Sequence, residues 1–286
     1  MTRVLSALVL LPLVIGTIWF LPEPATLLLA LIAAVLAFRE YCAIGRAMGV
    51  SVPGGIGGVA VVLAGYAMWR GDRSSGFSST SFLAGSGESF IEGWAFQSNQ
   101  VALVLLSAFI VVGAISVARG RPGPGVLADA AATLFAPIYI GLPLGALAWV
   151  RAASGREAVL LLLAVIVMSD SAQYYCGRAF GRRPLAPTIS PKKTVEGALG
   201  GMVFGTLAMA VAGHWVFSSP IWMLALLGAA ISLLGIVGDL FESLLKRSAG
   251  VKDSSNLIPG HGGVLDRIDS WLFAAPVYYM FVRFSA

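Results

Sequence analysis

Long apolar runs recur along almost the entire chain, and each is close to the length that a helix needs to cross a bilayer. A hydrocarbon core about 30 Å thick requires roughly 20 apolar residues in helical conformation. Glycine, proline or charged residues separate runs at 4–21, 25–44, 54–70, 100–118, 132–150, 157–177, 195–217, 221–245 and 270–285. The pattern therefore predicts an all-α, polytopic integral membrane protein with about nine transmembrane helices.

The amino-acid composition agrees with this prediction. Hydrophobic residues make up 58% of the 286 residues and charged residues only 12%, whereas soluble domains carry about 25% charged residues. This polar content is too small to cover a water-soluble particle. The net charge is only +5, and no dense basic face is visible, so nucleic-acid binding is not expected.

The runs group into three parts. We expect an N-terminal three-span part at 1–99, a middle two-span part at 100–156 and a C-terminal four-span catalytic part at 157–286. The polar stretch 71–99 is rich in serine and glycine, and we expect it to be an irregular loop. Because no small-x-small cleavage site follows Phe20, the first run is expected to be a retained span.

The distribution of positive charge predicts the orientation in the membrane. If the N-terminus lies inside, most of the 19 lysines and arginines fall in connections on the inner side, as the positive-inside rule requires. The two loops richest in charge, 178–194 and 246–269, then share that side. We therefore expect a multi-pass protein of the cell inner membrane with its active site facing the cytoplasm.

Three acidic residues within the predicted spans are candidates for function, because ionisable groups in a membrane are costly. Asp170 lies near the inner end of its span, where it either acts in a site, caps the helix or pairs with Arg178. Asp239 and Glu242 share one face of a helix, and Lys246 follows Glu242 by one turn. Asp239 has no basic residue three or four positions away, so we expect it to require a metal or a cationic ligand.

The segment at residues 190–197 reads as a phosphate site at a helix start. Ser190 is expected to be the N-cap, with Pro191 at the first helical position. Lys192 and Lys193 would then lie in the first turn, where the macrodipole disfavours cations unless an anion binds. The alternative is a pair of solvated lysines without a ligand.

The densest group of charges lies in residues 243–270. Its members are Lys246, Arg247, Lys252, Asp253, His261, Asp266, Arg267 and Asp269. The loop at 259–263 contains three glycines, which allow its backbone to approach a ligand closely. Mg²⁺ commonly binds through one or two carboxylates and substrate phosphates, and Asp239 with Asp266 is the natural pair. His261 either contacts substrate or is a structural loop residue.

These motifs resemble one known family. The spacing S-x-L-K-R, four residues, K-D, then S-x-x-I-P-x-H-G-G-V-x-D-R-I-D over 243–269 resembles the phosphatidate cytidylyltransferase (CDP-diacylglycerol synthase) family. SPKKTVEG at 190–197 and SDSAQYYCGR at 169–178 are similar to two further blocks of that family. Gln173 departs from the pattern, since relatives more often carry a small residue there.

The resemblance implies an enzyme that transfers the cytidylyl group of CTP to phosphatidic acid for phospholipid biosynthesis, releasing pyrophosphate. It also implies a homodimer in membrane lipid and a Mg²⁺ cofactor, with a monovalent cation such as K⁺ possible beside it. The implied metal ligands are Asp239 and Asp266.

We assign candidate roles on this basis. The candidate catalytic residues are Asp239, Asp266, Lys193 and Glu242, where Glu242 orients either the metal's water shell or Lys246. The candidate substrate-binding residues are Asp170, Arg178, Ser190, Lys192, Lys246, Arg247, Lys252, His261 and Arg267. A transferase with another lipid acceptor, such as a polyprenol, and a transporter of an anionic solute are the competing hypotheses.

Overall fold

The computed structural model describes residues 2–71, 87–120, 122–260 and 262–285. The described chain is almost entirely helical, with one short β-hairpin. The elements are α1 (Thr2–Phe20), α2 (Glu23–Ala47), α3 (Gly54–Arg70), α4 (Gly87–Arg119), α5 (Val126–Ala136), a π-helical turn (Pro137–Gly141), α6 (Leu142–Phe180), β1 (Pro184–Ala186), β2 (Ser190–Thr194), α7 (Val195–Val216), α8 (Ile221–Ser248) and α9 (Leu265–Ser285).

The prediction of an all-α, polytopic membrane protein is confirmed. Among the described residues, five helical segments are long and apolar enough to cross a membrane, namely Glu23–Ala47, Gln100–Arg119, Val126–Phe180, Val195–Val216 and Ile221–Ser248. The longest of them contains two of the predicted spans. Between these two spans, Gly155 has a φ of 84° and interrupts the helical backbone. The total of about nine spans stays a prediction.

The expected irregular loop at 71–99 is wrong for its second half. Helix α4 begins at Gly87 and continues without a break to Arg119. Extending an existing helix by one residue costs far less than starting a new one, so the polar residues 87–99 can join the apolar helix that follows them. Residues 72–86 lie outside the described part of the chain.

The C-terminal helices form one bundle, on which the N-terminal helices rest. Helix α7 packs between α6 and α8, while α9 packs against both α8 and α6. Helices α2 and α3 lie against α6 and the π-helical turn, and α2 also touches α9. The N-terminal part therefore contacts the bundle beside the segment that precedes α9.

Close helix approach depends on small residues at every fourth position of α7, namely Gly197, Gly201 and Gly205. A Cβ atom on Gly197 would lie 2.7 Å from the carbonyl oxygen of Gln173 in α6, and one on Gly201 would lie 2.9 Å from that of Ser169. Gly205 lies against Ser232 of α8 as well as Ser169 of α6. The four-residue spacing thus brings three helix backbones into contact, as small residues do in lipid.

The substitution Gly228→Ala tests this packing from the α8 side. Its methyl group would lie 2.6 Å from Cβ of Met209 and 2.9 Å from the carbonyl oxygen of Gly205. We expect the free energy of unfolding in detergent micelles to fall by about 1–3 kcal/mol, as for other overpacked interiors. Gly113→Ala is the matched control, because nothing lies within 4 Å of a Cβ there. Equal stabilities of the two variants would contradict the packing.

Candidate active site

A polar cavity of about 680 Å³ lies where the C-terminal end of α6, strand β2, the second half of α8 and the start of α9 meet. Acidic and basic side chains share its wall. The acids are Asp170, Asp239, Asp253, Asp266 and Asp269, and the bases are Arg178, Lys192, Lys193, Lys246 and Arg267. A cavity with this lining can accept an anionic ligand and a cation together.

The two lysines enter the cavity from a strand and not from a helix, so the prediction for Ser190 as an N-cap is wrong. Residues Ser190–Thr194 form β2, which pairs antiparallel with β1. Helix α7 begins at Val195, and its N-cap is Thr194, whose hydroxyl accepts a hydrogen bond from the Gly197 N–H at 3.1 Å. Thr194 satisfies the helix start, so the preceding residues remain extended and the lysines do not oppose the helix dipole.

The lysine side chains from β2 differ in their partners. The Lys193 ammonium forms an ion pair with Oδ2 of Asp239 on α8, whereas Lys192 is exposed. Asp239 therefore has a cationic partner. The sequence of α8 did not predict it, because no basic residue lies three or four positions from Asp239. This partner comes from a strand 46 positions earlier in the sequence. The Ser243 hydroxyl, one turn further along α8, lies 3.4 Å from Oδ1 of Asp239.

Lys246 joins two carboxylates at the centre of the wall. Its Nζ forms an ion pair with Glu242, as the i,i+4 spacing predicts, and lies 2.5 Å from Oδ1 of Asp266. The Glu242 side chain is fully buried and the Lys246 side chain only 12% exposed. Glu242 does not line the cavity, so of its two predicted roles the structure supports orienting Lys246.

The second oxygen of Asp266 is held by the loop that precedes α9. Its Oδ2 accepts hydrogen bonds from the N–H groups of Ser254 and Gly263, at 2.9 and 2.8 Å. Burial by itself raises the pKa of this carboxyl, but the hydrogen bonds from Lys246, Gly263 and Ser254 outweigh burial and lower the pKa to about 2. Asp266, which lies outside the five candidate spans, is therefore ionised at neutral pH.

Backbone turns set the path of this loop. Helix α8 ends in a Schellman motif, in which the Gly250 N–H donates to the carbonyl of Arg247 and the Val251 N–H to that of Lys246. Gly262, with a φ of 82°, packs so closely that a Cβ would lie 2.5 Å from Oδ2 of Asp266. The loop backbone thus closes on the carboxylate of Asp266, and its predicted approach to a ligand stays a prediction. His261 lies outside the described residues.

Most of the predicted site residues meet in this cavity. Those that line it are Asp170, Arg178, Lys192, Lys193, Asp239, Lys246, Asp266 and Arg267. Four others do not line it, namely Ser190, Glu242, Arg247 and Lys252. Arg247 instead donates hydrogen bonds to the carbonyl groups of Ile189 and Val251, each at 3.3 Å. It thereby connects the residue before β2 to the turn after α8. Lys252 is exposed outside the cavity.

The cavity also contains residues that the sequence analysis did not assign to it. Asp269 follows Asp266 by three positions, and this spacing places both on one face of a helix. Gln173, the departure from the family pattern, lines the wall, and its buried side-chain oxygen has no hydrogen-bond partner among the described residues. Tyr174 and Trp271 add aromatic surface. Tyr174 and Trp271 are uncharged, so the pattern of charges in the sequence could not identify them as site residues.

The donor set can be compared with the needs of Mg²⁺. No group of three or more His, Cys, Asp or Glu side chains that could hold a metal ion is found in the part of the chain that the structure describes. Asp239 and Asp266 nevertheless share the cavity, and each already faces a cation, namely a lysine ammonium. Such a pair fits a Mg²⁺ ion that takes its remaining ligands from substrate phosphates and water.

Comparison with known sequences adds independent information. A sequence profile of the cytidylyltransferase family matches residues 1–285. The chain belongs to this family. Within it, a protein from Staphylococcus haemolyticus named phosphatidate cytidylyltransferase is 30% identical over 280 residues, covering 97% of this chain and 95% of that protein.

Two further relatives carry the same name but match over shorter segments. One from Synechocystis is 50% identical over 131 residues, which are 45% of this chain and 44% of that protein. One from Helicobacter pylori is 36% identical over 180 residues, which are 63% of this chain and 64% of that protein. The matches to these two relatives thus span less than two thirds of their lengths.

The substitution Lys246→Met tests the central ion pairs of this cytidylyltransferase-family site. It leaves Glu242 and Asp266, whose side chains are 0% and 6% exposed, without a counter-charge. We expect the free energy of unfolding to fall by about 3–5 kcal/mol, as when one partner of a buried pair is removed. Adding Glu242→Gln should restore part of this loss, because glutamine is neutral.

The exposed Lys192 provides the control for this experiment. We expect Lys192→Met to change the free energy of unfolding by no more than about 0.5 kcal/mol. Chemical unfolding in one detergent compares the three variants. A loss for Lys246→Met no greater than that for Lys192→Met would contradict the central role of Lys246.

Proposed function

We propose that this protein transfers the cytidylyl group of CTP to phosphatidic acid, giving CDP-diacylglycerol and pyrophosphate for phospholipid synthesis. The observation that carries the proposal is the cavity in which five basic side chains surround carboxylates. CTP and phosphatidic acid are both phosphate anions, and such a lining suits them. Membership of the cytidylyltransferase family and the name shared by three relatives support the same reaction.

In this reaction an oxygen of the phosphatidic acid phosphate attacks the α-phosphorus of CTP. The new P–O bond forms as the bond to the β-phosphate oxygen breaks, and pyrophosphate leaves with the electron pair. The nucleophile is already anionic, so no protein side chain needs to form a covalent intermediate. Catalysis then consists mainly of positioning and charge neutralisation.

The basic side chains supply most of this neutralisation. Lys192 is exposed in the cavity wall and is free to follow a phosphate group, whereas Lys193 and Lys246 are held in place by ion pairs. A positive group fixed before the substrate arrives stabilises developing charge without reorganisation. Arg178 and Arg267 complete the positive lining.

Asp239 and Asp266 are the residues that would hold Mg²⁺. When bound there, Mg²⁺ would supply concentrated positive charge to phosphate oxygens. The family resemblance also implies a monovalent cation such as K⁺ beside it, and the carboxylates of Asp170 and Asp269 line the same cavity.

We further propose that the protein lies in the cell inner membrane, with the cavity on the cytoplasmic side, and that it functions as a homodimer. The orientation is supported by the lysines and arginines grouped in residues 178–194 and 246–269. It suits the substrates, because CTP arrives from water and phosphatidic acid from the lipid. The dimer is supported by the family resemblance alone.

The activity can be tested on purified protein in mixed micelles with Mg²⁺, CTP and phosphatidic acid, omitting each in turn. We expect pyrophosphate release only when all three are present, with CDP-diacylglycerol appearing in equal amount. Release with another lipid acceptor, such as a polyprenol, but not with phosphatidic acid would contradict the proposed substrate. Solute flux in vesicles without CTP consumption would instead favour the transporter hypothesis.

The substitution Asp239→Asn tests the carboxylate that faces Lys193. It preserves the size of the side chain but removes the charge that the metal requires. We expect turnover to fall at least about 100-fold, in the range found when an electrostatic group of an active site is lost. Mg²⁺-dependent pyrophosphate release measures the effect.

The control for this variant is Glu157→Gln on the same scaffold. The Glu157 side chain is 53% exposed, forms its ion pair with Arg156 and does not line the cavity. We expect Glu157→Gln to retain activity within about twofold, since surface changes of this kind have small effects. Substantial turnover by folded Asp239→Asn protein would contradict the assignment of Asp239 as a metal ligand.

A further inference from the structure

Glu40 is a buried carboxylate outside the cavity, and it accepts hydrogen bonds from the loop that holds Asp266. It lies on α2 in the N-terminal part of the chain and is only 5% exposed. Its Oε1 accepts from the Val264 N–H at 3.0 Å, and its Oε2 accepts from the Leu265 N–H at 2.8 Å. Because α9 begins at Leu265, Glu40 caps this helix from a position 225 residues away in sequence.

The same carboxylate also fixes the serines at the other end of the loop. The Ser255 hydroxyl donates to Oε1 of Glu40 at 2.6 Å. The Ser254 hydroxyl lies 2.9 Å from Oε2 of Glu40 and 2.7 Å from Oδ2 of Asp266. A hydroxyl has one proton, so it donates to one of these carboxylates at a time. Ser254 therefore connects Glu40 directly to the carboxylate in the cavity.

Gly263 packs closely against both Glu40 and Ser254. A Cβ on Gly263 would lie 2.3 Å from Oε2 of Glu40 and 2.2 Å from the Ser254 hydroxyl. Glu40 and Asp266 thus both hold the loop, Glu40 at the Val264 and Leu265 N–H groups and Asp266 at the Gly263 N–H. Displacing Glu40 must shift the loop and with it Asp266.

We propose that Glu40 is a positioning residue for the site: its carboxylate on α2 holds residues 254–265 so that Oδ1 of Asp266 faces Lys246 and the cavity. The two oxygens of Glu40 accept hydrogen bonds from the Ser255 hydroxyl and from the Val264 and Leu265 N–H groups. They share the Ser254 hydroxyl with Oδ2 of Asp266, so the loop contacts Asp266 through Oδ2 while Oδ1 faces Lys246. The N-terminal helices therefore contribute to the site without lining it. The structural role of Glu40 does not depend on the proposed function, whereas its expected effect on activity rests on it.

The first test compares Glu40→Gln with Tyr41→Phe, its neighbour on the same helix. Glu40→Gln keeps the size of the side chain but places an amide donor where an oxygen now accepts. Tyr41→Phe removes a single hydrogen bond, from the Tyr41 hydroxyl to the Ala132 carbonyl at 3.0 Å, far from the loop in sequence. The two variants thus separate a general loss of stability from a change at the site.

We expect Glu40→Gln to raise the Mg²⁺ concentration for half-maximal pyrophosphate release about 10–100-fold, the range found for residues that orient metal ligands. The KM for CTP should change much less, and Tyr41→Phe should leave the Mg²⁺ dependence unaltered. Glu40→Asp should restore part of the Mg²⁺ response, because it retains the charge. An unchanged Mg²⁺ dependence in folded Glu40→Gln protein would overturn the proposal.

A second measurement does not require activity. Hydrogen exchange of the Val264 and Leu265 amides should be at least about tenfold faster in Glu40→Gln than in the unsubstituted protein, since a hydrogen bond to a charged acceptor is lost. Exchange in α8 should stay the same. If the unsubstituted protein releases no pyrophosphate, the proposed function fails, and exchange alone decides whether Glu40 holds the loop. Unchanged exchange of both amides would overturn the proposal.

The variant Gly263→Ala provides an independent check from the loop side. Its methyl group would displace the Glu40 carboxylate or the Ser254 hydroxyl, whereas the backbone of Gly263 does not have a positive φ. We therefore expect the same increase in Mg²⁺ requirement and the same faster exchange as in Glu40→Gln. If Gly263→Ala showed a normal Mg²⁺ dependence, this result would contradict the proposal that Glu40 holds the loop.

Discussion

The site depends on the neutralisation of buried carboxylates by lysines that come from other segments or other turns. Glu242 is fully buried beside Lys246, which also faces Asp266, and Asp239 faces Lys193 from β2. An isolated buried charge is very costly, so Glu242 and Asp266 depend on the Lys246 ammonium that the fold places beside them. The arrangement keeps anionic oxygens in a largely apolar protein and places them at one cavity.

The helix bundle provides the framework for these pairs. Glycines of α7 allow this helix to pack closely against both α6 and α8. The ends of α6 and α8 and strand β2 then form one wall of the cavity. The Schellman turn after α8 then directs the chain away from Lys246 and back towards α9. The positions of the charges therefore follow from backbone contacts that contain no charged group.

The proposed reaction uses this framework economically, since both substrates bring their own reactive groups. The protein needs to hold phosphates and a metal in fixed places, and the lysines and carboxylates do this from rigid helices and a paired strand. Glu40 adds a contribution from the N-terminal part of the chain. The loop before α9 has several N–H groups that require hydrogen-bond acceptors, and the Glu40 carboxylate accepts from two of them. Helix α2 thereby fixes the carboxylate on which the proposed metal site depends.

The sequence alone predicted the membrane fold and most of the charged residues that line the cavity, because hydrophobic length and charge spacing are local properties. It also predicted the pair of Glu242 and Lys246, which are neighbours on one helix. The start of α7 at Val195 was missed for a local reason, because Ser190 and the true N-cap Thr194 both offer a capping hydroxyl. Only the tertiary structure decided the partner of Asp239 and the role of Glu40. Each of these depends on segments that lie far apart in sequence, and local periodicity contains no information about which distant donor meets which acceptor.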